Sequence, residues 1–280
     1  MRHYNGKEFF KPNWLKRIHD WIFGVGAYVK MSKQHVMVIV PTLDRMVTDS
    51  IATFFAQCGR KNADPDFPYK FTCGTLSKIQ GYANMRNRAA KMFLDGPCDR
   101  LWFIDNDTLL PDEIFDLLPI DGDIVTLPYP FAGTFCPAIM NYKDVDDFDG
   151  GLEEIKVGPG GIADVKGTGM GCTLIRREVL EDARMRYPPE YLRPDGKPCT
   201  LDDEPDAQPA IFRFHYKPNG EILLGEDFDF CIRAKRLGYS IRVKLTSQCD
   251  HLKTVALNEA REHILEMHTK PRADTQVIAV

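Results

Sequence analysis

Three short apolar runs constrain this chain more than any other feature. His35-Val36-Met37-Val38-Ile39-Val40, Leu101-Trp102-Phe103-Ile104 and Asp123-Ile124-Val125-Thr126-Leu127 are near-continuous and of strand length, and the first and last are halted by Pro41 and Pro128. A strand that is apolar at successive positions has both faces covered, the signature of a buried, mostly parallel sheet. Between the runs, Val47 to Phe55 and Tyr82 to Leu94 read as helices, the second leading through Gly96-Pro97 into the next strand. The repeated βα alternation predicts an α/β fold.

The second half keeps this order less cleanly. The chain turns irregular and rich in Asp and Gly until about Asp164, then predicts a strand at Cys172 to Ile175, a helix at Arg177 to Arg184, a helix after Glu226, a strand at Ser240 to Leu245 and a helix from Val255 to His268. Five prolines and many charges between Tyr187 and Pro209 read as a long surface loop near a site. At the other end Trp14, Leu15, Ile18, Trp21, Ile22 and Val25 recur at helical spacing among Lys11, Lys16, Arg17 and Lys30. That is a basic amphipathic helix, suited to packing across the domain that follows or to peripheral contact with an anionic membrane.

Composition narrows the class. A chain of 280 residues, 44% hydrophobic, can bury a large core. A net charge of −4 argues against a surface that grips nucleic acid as a whole, although Arg176, Arg177, Arg184 and Arg186 can make local phosphate contacts. The eight cysteines contain no CxxC pair, so neither a zinc knuckle nor a redox motif is indicated. Scattered thiols, no apolar leader and no run of about 18 apolar residues lead to the expectation of a soluble, cytoplasmic protein without a transmembrane segment.

Three constellations carry chemistry. Asp105-Asn106-Asp107 follows the buried run 101–104, so two carboxylates one residue apart stand where ligands collect in open α/β sheets. In an extended conformation both point the same way and offer oxygens to a hard divalent cation, Mn²⁺ or Mg²⁺, that also holds a diphosphate. Read alone, these acids equally fit a turn capping a segment at Pro111. Gly225-Glu226-Asp227-Phe228-Asp229 opens a helix with three acids, where one suffices for capping. Asp227, and after it Glu226, is the candidate acceptor of a proton from an incoming hydroxyl. Gln248-Cys249-Asp250-His251 follows the strand from Ser240, and an imidazole beside carboxylates suits Mn²⁺.

Taken in order, Val36-Met37-Val38-Ile39-Val40-Pro41-Thr42, Met85-Arg86-Asn87, Phe103-Ile104-Asp105-Asn106-Asp107, Gly225-Glu226-Asp227-Phe228-Asp229-Phe230-Cys231 and His251 resemble the GT-A fold glycosyltransferases. The likeness is to the family 2-like members frequent in bacterial and phage genomes. The resemblance implies a GT-A fold, a Rossmann-like mixed sheet flanked by helices. It divides the chain into an N-terminal amphipathic helical extension (1–33), a catalytic domain (34–254, its nucleotide-sugar half 34–150 and its acceptor half 151–254) and a C-terminal helix and tail (255–280). It places Pro41, Thr42, Asp44, Arg45, Arg86 and Asn106 around the nucleotide-sugar, Asp105, Asp107 and His251 on the metal, and Gly169, Met170 and His215 on the acceptor side.

The expected activity is metal-dependent, hexosyltransferase-like transfer of a sugar from a nucleoside diphosphate sugar, UDP favoured, to an acceptor hydroxyl, with Asp227 as base. A glycan, a small molecule or a hydroxymethylated base in phage DNA would each supply that hydroxyl. The competing readings are a non-catalytic module that binds nucleotide-sugar or glycan, and a nucleotidyltransferase. The last normally carries a glycine-rich phosphate loop after the first strand, and Pro41-Thr42-Leu43-Asp44-Arg45 has no glycine.

Overall fold

The computed structural model describes residues 33–42, 48–77, 79, 81–130, 137–144, 151–186, 210–217 and 219–252. The amphipathic N-terminal helix, the loop 187–209 and the helix expected from Val255 lie outside the described residues, as do Asp44 and Arg45.

Among the described residues seven strands form one mixed sheet. In chain order they are β1 (Gln34–Pro41), β2 (Tyr69–Leu76), β3 (Arg100–Ile104), β5 (Ile124–Thr126), β7 (Ile162–Asp164), β9 (Cys172–Arg176) and β12 (Ile241–Lys244), arranged β2-β1-β3-β9-β5-β12-β7. β1 runs parallel to β2 and β3, and β12 runs parallel to β5. β9 lies between the two parallel groups, antiparallel to β3 and to β5. Short pairs lie outside this sheet: β4 (Thr108–Leu109) with β13 (Asp250–His251), β6 (Ile139–Met140) with β8 (Gly167–Thr168), and β10 (His215–Tyr216) with β11 (Ile222–Leu224).

The apolar runs are explained by two cores, one on each face. Met37, Ile39, Leu101 and Phe103 point into one, with Ala89, Ala90 and Phe93 of α2 (Tyr82–Leu94) and Phe230 and Ala234 of α5 (Glu226–Arg236). Val36, Val38, Val40, Trp102 and Ile104 point into the other, with Ile51, Phe54 and Cys58 of α1 (Asp49–Ala63) and the 3₁₀ turn Ile114–Leu117. Side chains alternate across a strand, so a central strand clad on both faces has to be apolar throughout.

Local chemistry sets the helix ends. Thr48 caps α1 by accepting the Ile51 N–H, with Asp49 in the first turn and Arg60 and Lys61 in the last, which favours the helix dipole. α1 therefore starts two residues later than the apolar pattern predicts and continues past Phe55. The Asn62 side chain at its end exchanges two hydrogen bonds with the Phe71 backbone, at 2.8 and 2.7 Å, and so fastens β2 at the sheet edge. β2 escapes the sequence pattern because only Phe71 of its eight residues is buried. The helix expected over Arg177 to Arg184 is two short helices, α3 (Arg177–Glu181) and α4 (Ala183–Arg186), parted at the extended Asp182.

Near the start of β1, His35 is 2% exposed, with Nε2 2.8 Å from Thr72 Oγ1. Burial, and then Lys70, push its imidazole down from 6.5 to about 4, against the opposing effect of Asp99. The folded state prefers neutral His35, so between pH 6.5 and about 4 the unfolded chain binds the extra proton and stability falls as pH falls. Urea unfolding from pH 7 to 4 should show a loss on the order of 3 kcal/mol from this group, and His35→Gln should remove that part of the slope.

Candidate functional site

The site grows from the end of β3. The Asp105 N–H donates to Gly171 O at 2.9 Å, which carries the β3–β9 ladder one residue beyond the strand. The chain then bends, with Thr108 N–H donating back to Asp105 O at 3.1 Å. Asp105 and Asp107 are thus presented by a turn, in place of the extended geometry the sequence predicts. Asn106 Nδ2 reaches Thr42 Oγ1 at 3.3 Å, tying this turn to the segment after Pro41 at the end of β1.

β4 brings the distant C-terminal motif to the same place. His251 pairs with Thr108 and Asp250 with Leu109, and Leu252 N–H donates to Asp107 O at 2.7 Å. The backbone of His251 is therefore held next to Asp107; its side chain lies outside the described residues.

Arg86 of α2 is the centre of the arrangement. Its side chain is 4% exposed, Nη2 donates to Asp105 Oδ1 and Oδ2 at 3.0 and 3.1 Å, and Nε stands 3.5 Å from Glu226 Oε1. Burial works to lower the guanidinium pKa, but Asp105 and Glu226 outweigh it and hold Arg86 firmly charged. Asp105 is pushed up by burial, opposed by Arg86 and reinforced by Asp107. Asp227 behaves differently. The Phe228 N–H is its hydrogen-bond donor, at 2.8 Å, and burial together with the neighbouring Glu226 pushes its carboxyl up to about 6, partly offset by Arg86.

Tyr129, which the sequence did not single out, completes the group. Its ring lies in the notch left by two glycines: a Cβ on Gly169 would stand 1.9 Å from the Tyr129 hydroxyl, and one on Gly171 2.8 Å from ring Cε1. Burial, then Asp105 and Asp227, raise the phenol well above its ordinary value, so it is a neutral hydroxyl among the acids. The signal was present in the sequence as Gly169-Met170-Gly171, but a notch does not reveal what fills it.

Other candidates fall elsewhere. Met170 is 0% exposed and packs in the core with Ile139 and Val165. His215 is exposed on β10, its Nδ1 3.8 Å from Asp229 Oδ1, on a cluster in which Asp229 also takes Arg233 at 2.7 Å and Arg213 at 3.6 Å. Arg233 in turn donates to Met185 O and Ile211 O, and Asn87 clasps the Phe212 backbone at 2.7 and 2.8 Å. This cluster anchors the strand-like segment after residue 210.

Arg176, Arg177 and Arg184, considered for nucleic-acid phosphates, have internal partners. Arg176 pairs with Asp121, Arg184 with Asp182, and Arg177 donates to Phe93, Leu94, Gly96 and Cys98 carbonyls at the end of α2.

Of the residues expected on the metal, Asp105 and Asp107 supply carboxylate oxygen, the donor type a hard divalent cation takes. The buried Nη1 of Arg86 has no hydrogen-bond partner, and as a donor on a charged guanidinium it calls for an anionic acceptor such as a phosphate oxygen beside the acids. Among the described residues no three His, Cys, Asp or Glu side chains are gathered into a ready-made cation cage. No helix among the described residues is long and apolar enough to cross a membrane.

No protein-family model matches the chain, and no curated protein matches it significantly. Several solved structures are similar in shape. A197 from STIV is 17% identical, with a TM-score of 0.45, over 79% of this chain and 87% of that one. A mutant β-1,4-galactosyltransferase 7 from Drosophila, in complex with manganese, UDP-Gal and xylobiose, is 15% identical, with a TM-score of 0.39, over 86% and 82%. The inositol-1-phosphate CTP transferase from T. maritima is 8% identical, with a TM-score of 0.34, over 85% and 98%.

The Tyr129 notch is directly testable. Gly169→Ala should lower stability by about 1–3 kcal/mol in denaturant unfolding, and adding Tyr129→Ala should recover part of the loss, giving a coupling energy well clear of zero.

Proposed function

We propose that this chain is a glycosyltransferase of the GT-A type that moves a sugar from a nucleoside diphosphate sugar, UDP favoured, to an acceptor hydroxyl. One observation carries the reading. Asp105, Arg86, Glu226 and Asp227 come from three separate elements and meet just past the end of the central strand β3, and among the described residues Asp227 has no ion pair while burial pushes its carboxyl up to about 6.

The residues divide the work by position. Thr42 and Asn106, joined at 3.3 Å, form the wall at the end of β1 against which the nucleotide would lie. Arg86 and Asp105 face the donor side. A divalent cation held by Asp105, Asp107 and His251 would neutralise charge developing on the departing diphosphate. Asp227 takes the proton from the acceptor hydroxyl as its oxygen bonds to the anomeric carbon and the bond from that carbon to the diphosphate breaks, in an inverting transfer. Its carboxyl near 6 leaves it ionised at neutral pH yet basic enough to accept that proton. The Tyr129 hydroxyl, close enough to Asp105 and Asp227 for both to raise its pKa, bounds the space between donor and acceptor.

Nucleotide release from a panel of UDP- and GDP-sugars, with and without Mn²⁺, tests this; UDP-Gal, named with the galactosyltransferase, is the first donor to try. Asp227→Asn should lower kcat by about 10²–10⁴-fold. In the wild type kcat/KM should fall as pH drops below about 6, because protonated Asp227 cannot act as base. Metal-independent release, or release unchanged in Asp107→Asn, would refute the cation assignment; no release from any donor would refute the transferase.

A further inference from the structure

The buried triad of Asp105, Arg86 and Glu226 is lopsided. Arg86 Nη2 is shared between both oxygens of Asp105 at 3.0 and 3.1 Å, whereas Nε stands 3.5 Å from Glu226 Oε1. Nε and Nη1 are buried and have no hydrogen-bond partner. The guanidinium is committed to one acid and held in reserve beside another. Asp105 and Glu226 are 17% and 12% exposed, so neither side chain can exchange its partner for bulk water.

Asp105 is also one of the acids assigned above to the cation. Its two oxygens cannot serve a guanidinium and a divalent cation at full strength together, since both are positive and would stand within a few ångströms of each other. Arg86, 4% exposed, cannot escape into solvent, and a buried guanidinium stripped of its partner is strongly unfavourable. Glu226, on the first turn of α5, is placed to receive it, since Nε already stands 3.5 Å from its Oε1.

Resting on the transferase reading for the cation's place, we propose that Arg86 is the resident counter-ion of the site, which yields Asp105 to an incoming divalent cation and closes onto Glu226. Cation uptake on the donor side is thereby felt at Glu226, next to the acid that faces the acceptor. Arg86 acts here as a positioning residue: it keeps the acids assembled before loading and changes partner on loading.

The test uses Mn²⁺ alone, titrated calorimetrically into the full chain without nucleotide or sugar. Arg86→Met should bind Mn²⁺ about tenfold or more tightly than the wild type, because the competitor for Asp105 is gone. Its metal-free form should be less stable to heat. Glu226→Gln should bind Mn²⁺ several-fold more weakly than the wild type, because the guanidinium has lost its second partner. In the Arg86→Met background that substitution should lose most of its effect. Equal or weaker Mn²⁺ binding by Arg86→Met, or an undiminished Glu226 effect in that background, overturns the proposal, as does absence of Mn²⁺ binding in every variant. If the methionine variant does not fold, Arg86→Lys replaces it: an ammonium engages Asp105 less completely, and Mn²⁺ affinity should again exceed the wild type's. Donor turnover is measured apart from this. No turnover beside the expected Mn²⁺ pattern refutes the transferase and leaves the exchange of partners standing.

Discussion

A guanidinium with 4% of its side chain exposed is tolerable only among negative charges, and the buried carboxylates past the end of β3 are tolerable only around a positive one. Arg86 and the acids of 105, 226 and 227 stand in that mutual dependence. Removing either partner of such a pair costs about 3–5 kcal/mol in typical cases, because the remaining charge is stranded. The scaffold is arranged to keep them together: α2 carries Arg86 on the face that also buries Ala89, Ala90 and Phe93, and α5 carries Glu226 about one turn from Phe230 and two from Ala234 in the same core. The packing that makes the domain stable is the packing that brings the charges into contact.

The same interaction separates the acids by role. Asp105 and Glu226 share the guanidinium, while Asp227, one residue from Glu226, has its neighbour's N–H and no ion pair. Two adjacent carboxyls on one turn of a helix thus meet different environments: Glu226 stands beside the guanidinium, and burial pushes up the Asp227 carboxyl.

Much of this was legible in the residues. The apolar runs at 35–40, 101–104 and 123–127 identified three strands of the main sheet because two-sided burial leaves no polar position to confuse the pattern. The helix from Tyr82 to Leu94 was read at its observed limits. β2 was invisible because an edge strand with one buried residue has no such pattern, and β4 and β13 because two-residue strands have none at all. In the site, the motif acids could be picked out by type and order. Their geometry could not, since it depends on a turn at Asn106, on Arg86 reaching across from another element, and on Tyr129 filling a space that glycine merely leaves open.

The antiparallel strand β9 has a consequence for how the molecule comes into being. β1, β2 and β3 are complete by Ile104, but β5 joins them only through β9, and β12 joins only through β5. As the chain emerges during synthesis, the first three strands with α1 and α2 can assemble as a unit, while β5 waits exposed for the arrival of Cys172–Arg176. Domains of this size commonly pass through such half-built states, and a waiting apolar strand is their point of vulnerability. Ile124, Val125 and Leu127, fully covered at the end, are the residues through which a stalled or truncated copy would stick to others.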